Sequence, residues 1–252
     1  MSELGKHWLL IRGLARESAH WGEFVPLLKS SFPEAKVTTL DLAGTGRFYQ
    51  QSSPCSIEKI TEQLRQHALE QGLLAQPITL CAVSLGAMVA WQWLKSYPQD
   101  CAGACLINTS FANLSPFYQR LRWQNAHKII SLLRKTDIAE REAQIVALVA
   151  NNQAIYAQTS AVWAQIHRQR PIGVATRLKQ LYAASRYQAG EKPLQPILLL
   201  NAQADRLVSP ACSEAIAQHY GLAYRRHAWG GHDLTTDDGE WVIKQLREWL
   251  IM

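Results

Sequence analysis

The stretch Ile78-Thr79-Leu80-Cys81-Ala82-Val83-Ser84-Leu85-Gly86-Ala87-Met88 decides how this chain is read. Its first six residues form an unbroken apolar, β-favouring run, which predicts a strand buried on both faces. A helical pattern follows at once, from Leu85 to about Tyr97. Ser84 therefore sits on a tight strand-to-helix turn, where the side chain is held above the edge of a sheet. Small residues are needed where strand and helix nearly touch, and Ala82 and Gly86 meet that need. The helix that starts here would point its unpaired N–H groups toward developing negative charge. Taken alone, Ala82-x-Ser84-x-Gly86 also describes a simple packed helix start.

Working outward, short β-rich runs alternate with helical segments. Trp8–Ile11 reads as a buried strand, followed by a helix near Trp21 to Leu28. Val37–Asp41 reads as a second strand, with a helix from about Ser56 to Leu74 behind it. Ala104–Asn108 and Ile197–Asn201 are further strands, then come a helix over Pro210–Tyr220 and a strand near Ala223 to Ala228. Trp241, Val242, Leu246, Trp249 and Leu250 share one face of a final helix. Apolar strands joined by helices predict an α/β fold, with a mostly parallel sheet of about six strands and helices on both faces. Right-handed crossovers then gather the loops that follow the strands at one sheet edge, where ligands bind.

From about Phe111 to Gly190 the pattern is helical, as in 129–133, Ile145–Val149 and Ala161–Ile166. We expect a helical cap, residues 111–190, inserted into a core made of residues 1–110 and 191–252. Trp123, Trp163 and Tyr182 are candidates to shape a pocket beneath it, or simply to pack its helices.

Two more loops carry chemistry. Asp205 follows the strand Ile197–Asn201, just before a helix that Ser209-Pro210 is suited to begin. In Trp229-Gly230-Gly231-His232-Asp233-Leu234, two glycines let the backbone turn sharply and deliver the His232 imidazole to the same edge. A neutral histidine there can take a proton from Ser84, provided a carboxylate fixes its tautomer. Asp233, Asp237 and Asp238 are rivals for that carboxylate, but they lie close to His232 in the chain, which favours Asp205.

Ser84, Asp205 and His232, each just past a strand and in that order, resemble the catalytic set of the α/β-hydrolase superfamily. The resemblance runs from Trp8 to the last helix, and in size and layout the chain is similar to small bacterial carboxylesterases with a helical cap. It implies a serine nucleophile, a histidine base and an orienting aspartate. Carried over by position, it also implies an oxyanion hole made by the backbone N–H groups of Leu14 and Leu85. The family usually has His-Gly where this chain has Arg12-Gly13, and glycine where it has Ala82. Arg12 and Trp21 become candidate substrate contacts. Asp41-Leu42-Ala43-Gly44-Thr45-Gly46 resembles a structural turn of the superfamily, and it lacks the Walker and dinucleotide spacings.

The expected activity is hydrolysis of a carboxylic ester or thioester through an acyl-enzyme on Ser84. A lyase of the menaquinone-synthesis type, abstracting a proton with the same residues, is the alternative. A non-catalytic binding protein on this fold is the third reading. No cofactor or metal is expected. The net charge is +6, and the segment 116–190 carries eleven Lys/Arg against three acidic residues. This suits either a solvated helical surface or an anionic or carrier-linked small-molecule substrate. No nucleic-acid motif accompanies the charge. Five cysteines without metal-site spacing read as free thiols. With no secretion signal or membrane-length apolar run at the start, we expect a cytoplasmic protein that makes no membrane contact.

Overall fold

A computed structural model describes residues 3–125 and 135–251, without the side chain of Trp123. In chain order its strands are β1 (His7–Ile11), β2 (Lys36–Thr39), β3 (Ile78–Val83), β4 (Cys101–Ile107), β5 (Ile197–Ala202) and β6 (Ala223–His227). The first helices are α1 (Phe24–Ser31), α2 (Ile57–Glu70) and α3 (Leu85–Ser96). Between β4 and β5 come α4 (Phe117–Arg120), α5 (Ile138–Val149), α6 (Tyr156–Gln169) and α7 (Val174–Arg186). The chain ends with α8 (Pro210–Tyr220), α9 (Leu234–Asp237) and α10 (Gly239–Leu250).

The six strands form one sheet in the order β2-β1-β3-β4-β5-β6, and every neighbouring pair is parallel. The period of two sorts the strand residues onto two cores. Leu9, Ile11, Leu80, Ala82, Leu106 and Leu199 face a core completed by α2, α3 and α8. Trp8, Leu10, Cys81, Val83, Ile107 and Leu200 face the opposite core, closed by α1 and α10. This is why the central strands read as continuous apolar runs rather than as alternation. Each large apolar side chain buried this way contributes roughly 1.5–3 kcal/mol.

The strand order reverses at β1. The chain passes from β1 outward to β2, then returns across β1 to β3. A crevice therefore opens beyond the carboxyl ends of β1 and β3, the usual ligand site of such sheets. Arg12-Gly13-Leu14 leaves β1 there and Ser84 leaves β3. A Cβ on Gly86 would stand only 2.5 Å from the Arg12 carbonyl oxygen and 2.6 Å from that of Ile11. Close approach of α3 to β1 thus requires a glycine at this position.

Element boundaries differ from expectation where a local feature intervenes. The single helix expected near Trp21 to Leu28 is broken at Gly22, whose φ of 47° separates a 3-10 turn (Ser18–Trp21) from α1. The second strand starts one residue early, at Lys36 paired with His7, and stops at Thr39. Its partly exposed residues leave a weaker apolar signal than the central strands do. The helix expected at 129–133 lies outside the described residues. In the insertion, α5 and α6 share a small core of their own built on Val146, Val149, Trp163 and Ile166.

Candidate active site

Ser84 holds φ 56° and ψ −118°, a left-handed conformation that costs a non-glycine residue about 1–3 kcal/mol. Its neighbours hold the turn in place. The Ser84 N–H donates to the Ile107 carbonyl (2.8 Å), and Thr109 Oγ1 donates to the Ser84 carbonyl (3.0 Å). Gly13 faces the turn from β1, and a Cβ there would sit 3.2 Å from Ser84 Cβ. The serine is thus fixed between the ends of β1 and β4, at the N-terminus of α3.

His232 Nδ1 donates to Asp205 Oδ2 at 2.7 Å, and both side chains are buried. Asp205 Oδ1 accepts from the Leu207 N–H (2.7 Å) and the Val208 N–H (2.9 Å), so the loop after β5 aims the other oxygen at the imidazole. With Nδ1 donating, Nε2 is left as an acceptor. Burial opposes the charged imidazolium, but the Asp205 carboxylate outweighs it and holds the His232 pKa above its ordinary 6.5.

The rival carboxylates have other partners. Asp237 accepts from the backbone N–H groups of Asn151, Asn152 and Gly231. Asp238 meets His227 Nε2 at 3.0 Å and caps α10 through the Trp241 N–H. Asp233 is paired with Arg12 by two contacts, Nη1 to Oδ1 at 3.2 Å and Nη2 to Oδ2. Trp21 lies against the far face of that guanidinium, 4.8 Å from its carbon to the ring centroid, and stacks on Phe24.

A cavity of about 370 Å³ brings most of the sequence-derived residues together. Arg12, Leu14, Ser84, Leu85 and His232 line it from the sheet edge. Leu148, Val149, Trp163, Leu178 and Leu181 line it from the insertion. Asp205 stands behind His232 and Trp21 behind Arg12. Tyr182 is half exposed and lies outside the lining, and the Trp123 side chain lies outside the described residues. Asp41 accepts from the N–H and hydroxyl of Ser18 and from the Arg47 N–H, so it braces two loops.

Sequence reasoning passed over Asn108, the residue just after β4. Its Oδ1 accepts from the Ala202 N–H (2.8 Å), and its Nδ2 donates to the carbonyls of His232 (2.8 Å) and Gly231 (3.1 Å). It joins β4, β5 and the histidine loop. A polar side chain closing an otherwise apolar strand was the signal available. Among the described residues, no group of three or more His, Cys, Asp or Glu side chains is arranged to hold a metal. Among them no helix is long and apolar enough to cross a membrane.

Chemically, the arrangement offers a hydroxyl on a strained turn at the N-terminus of α3, and an oriented imidazole in the same cavity. A thermophilic esterase from Thermogutta terrifontis superposes with a TM-score of 0.68 at 21% identity, covering 98% of this chain and 90% of that one. An enol-lactonase from Burkholderia xenovorans LB400 gives 0.75 at 14% identity, with 98% and 92% covered. The type II thioesterase BorB from the borrelidin biosynthetic cluster gives 0.69 at 15%, with 97% and 92% covered. At these identities the likeness is one of fold. No curated protein matches the sequence. Residues 8–237 match the family described as serine aminopeptidase, S33, so the chain belongs to that family of α/β-fold hydrolases.

Proposed function

We propose that the protein is a serine hydrolase that cleaves a carboxylic ester or thioester through an acyl-enzyme on Ser84. One observation carries the reading. Ser84, on its strained turn, shares a cavity with His232, whose Nδ1 is bonded at 2.7 Å to the buried Asp205.

In this reading Ser84 Oγ attacks the substrate carbonyl while His232 Nε2 takes its proton. The imidazolium formed is stabilised by Asp205 and returns the proton to the leaving oxygen or sulfur. Water, activated by the same imidazole, then cleaves the acyl-enzyme. The backbone N–H groups of Leu14 and Leu85 hold the oxyanion, each donor being worth about 3 kcal/mol in the transition state. The insertion between β4 and β5 acts as a cap, and its leucines form the apolar wall of the acyl site. Esterase and thioesterase neighbours of the same fold are consistent with this chemistry.

Incubation with a fluorophosphonate, read by intact mass and peptide mapping, tests it. One adduct per chain on Ser84, absent from Ser84→Ala, is expected. Folded protein that takes up no label would overturn the acyl-enzyme reading.

A further inference from the structure

The cavity's side chains carry far more positive charge than its carboxylates offset. Five arginines line it against two carboxylates, Glu142 and Asp233. Asp233 is consumed by Arg12. Arg120 is tied to neutral acceptors, the Ser110 hydroxyl and the carbonyls of Ala184 and Ser185. Three arginines remain, Arg16 from the loop after β1 and Arg141 and Arg177 from the insertion, and the single carboxylate of Glu142 is left to offset them. Arg16 Nη2 takes it at 3.1 Å, while Arg141 Nε stands 4.0 Å away, beyond hydrogen-bonding reach. His167 adds no charge, because burial and the nearby Arg141 pull its pKa to about 4.

Arg141 is the informative member. Its side chain is 13% exposed, and both Nε and Nη2 are buried without a hydrogen-bond partner. Buried guanidinium donors with nothing to bond are costly, and at the wall of a cavity a bound anion is one group that satisfies them. Arg177 lines the same wall, and burial together with the nearby charge of Arg141 lowers its pKa. The remainder of the wall near them, Ile145, Leu178 and Leu181, is apolar.

We propose that Arg141 and Arg177, backed by Arg16, form a carboxylate-binding subsite, so that the substrate is an acyl ester or thioester whose acyl chain ends in a free carboxylate. This rests on the acyl-transfer reading of Ser84. The scissile carbonyl sits at Ser84, an apolar stretch crosses the leucine wall, and the anionic end takes the unpaired guanidinium donors as charge-assisted bonds. Guanidinium geometry suits a planar carboxylate taken by two donors.

Matched ester pairs test the subsite. The 4-nitrophenyl esters of hexanoic and octanoic acid are compared with the mono-4-nitrophenyl esters of adipic and suberic acid. The ratio of kcat/KM, anionic over neutral, is expected to be at least tenfold in the parent protein. It should collapse toward one in Arg141→Gln and Arg177→Gln. Because each ratio is internal to one variant, a general loss of activity does not disturb it. Calorimetric titration with free adipate and suberate reads the same subsite without chemistry, and binding should weaken tenfold or more in Arg141→Gln. Since that variant removes an unmatched buried charge, its melting temperature without ligand should equal or exceed the parent's, which guards against misfolding as the cause. Neutral esters turned over as fast as their anionic partners, or dicarboxylate binding indifferent to both substitutions, would overturn the proposal. Dicarboxylate binding that Arg141→Gln abolishes, in protein that takes no fluorophosphonate, would support the subsite while removing the acyl-transfer reading.

Discussion

Arg12 and Asp233 form a two-contact ion pair that is almost completely buried, with side chains 5% and 4% exposed. It joins the loop after β1 to the residue that follows His232. The loop after β1, which carries Leu14, and the loop that carries His232 are therefore held by one charged clasp. Thr235 Oγ1 donates to the same carboxylate, and Trp21 lies on the guanidinium. Arg12 stands where the superfamily usually has histidine, and here both of its terminal nitrogens are paired within the protein.

Breaking one side of that clasp leaves a buried charge alone. Asp233→Asn and Arg12→Met should each lower stability by about 3–5 kcal/mol, whereas the double change Arg12→Met/Asp233→Leu should recover most of the loss. Urea unfolding midpoints measure this. Single variants within about 0.5 kcal/mol of the parent would show that the pair supports nothing. The pH dependence follows in sign. Burial pushes the Asp233 carboxyl up, but Arg12 overcomes it and holds the pKa below the usual range. A depressed folded pKa gives stability that is present above about 3.9 and is lost as pH falls through the folded value.

The left-handed backbone of Ser84 predicts a difference between two inactive variants. Ser84→Ala keeps a Cβ at φ 56°, while Ser84→Gly removes it. The glycine variant should be more stable than the alanine variant despite glycine's greater chain entropy, by about 1 kcal/mol. Equal melting temperatures would mean that the turn holds no strain.

The proposed base sets a pH profile. Neutral His232 is the active form, so kcat/KM on a neutral ester should rise with pH through an inflection above 6.5, because Asp205 outweighs burial. Asp205→Asn removes that charge, so the inflection should move down, and kcat should fall by about 10⁴. A parent inflection below 6.5 would contradict the assignment. In stability the same shift has the opposite sense to that of Asp233. A raised histidine pKa gives stability that is fully present below about 6.5 and is lost as pH rises through the folded value.

What was legible in the sequence follows from where each signal is local. The central strands lie under helices on both sides, so Ile78–Val83 and Ile197–Ala202 stand out as apolar runs. Chain order and strand ends were enough to bring Ser84, Asp205 and His232 into consideration. The partners of Arg12, the three-way bonding of Asn108 and the shared carboxylate of Glu142 could not be read this way. Each depends on residues distant in sequence meeting in space: Arg12 and Asp233 are 221 positions apart, and Asn108 and His232 are 124. The charge excess of the segment 116–190 was visible as a total. Which of its arginines turn inward depends on the orientation of short helices, which composition does not determine.

Asn108 provides the last test, since it combines φ 49° with three side-chain bonds to β5 and the histidine loop. Asn108→Ala leaves the buried Ala202 N–H unsatisfied and places a less tolerant residue in the left-handed region, so a loss of about 2–4 kcal/mol is expected. Asn108→Gly separates the two contributions, because it suits the backbone but still lacks the bonds. It should recover about 1 kcal/mol at most, and kcat should stay reduced roughly tenfold in both variants, because a loosened histidine loop misplaces the imidazole. Full recovery of stability and rate in Asn108→Gly would assign the residue a backbone role alone, and the histidine loop would then depend on Arg12 and Asp233 for its position.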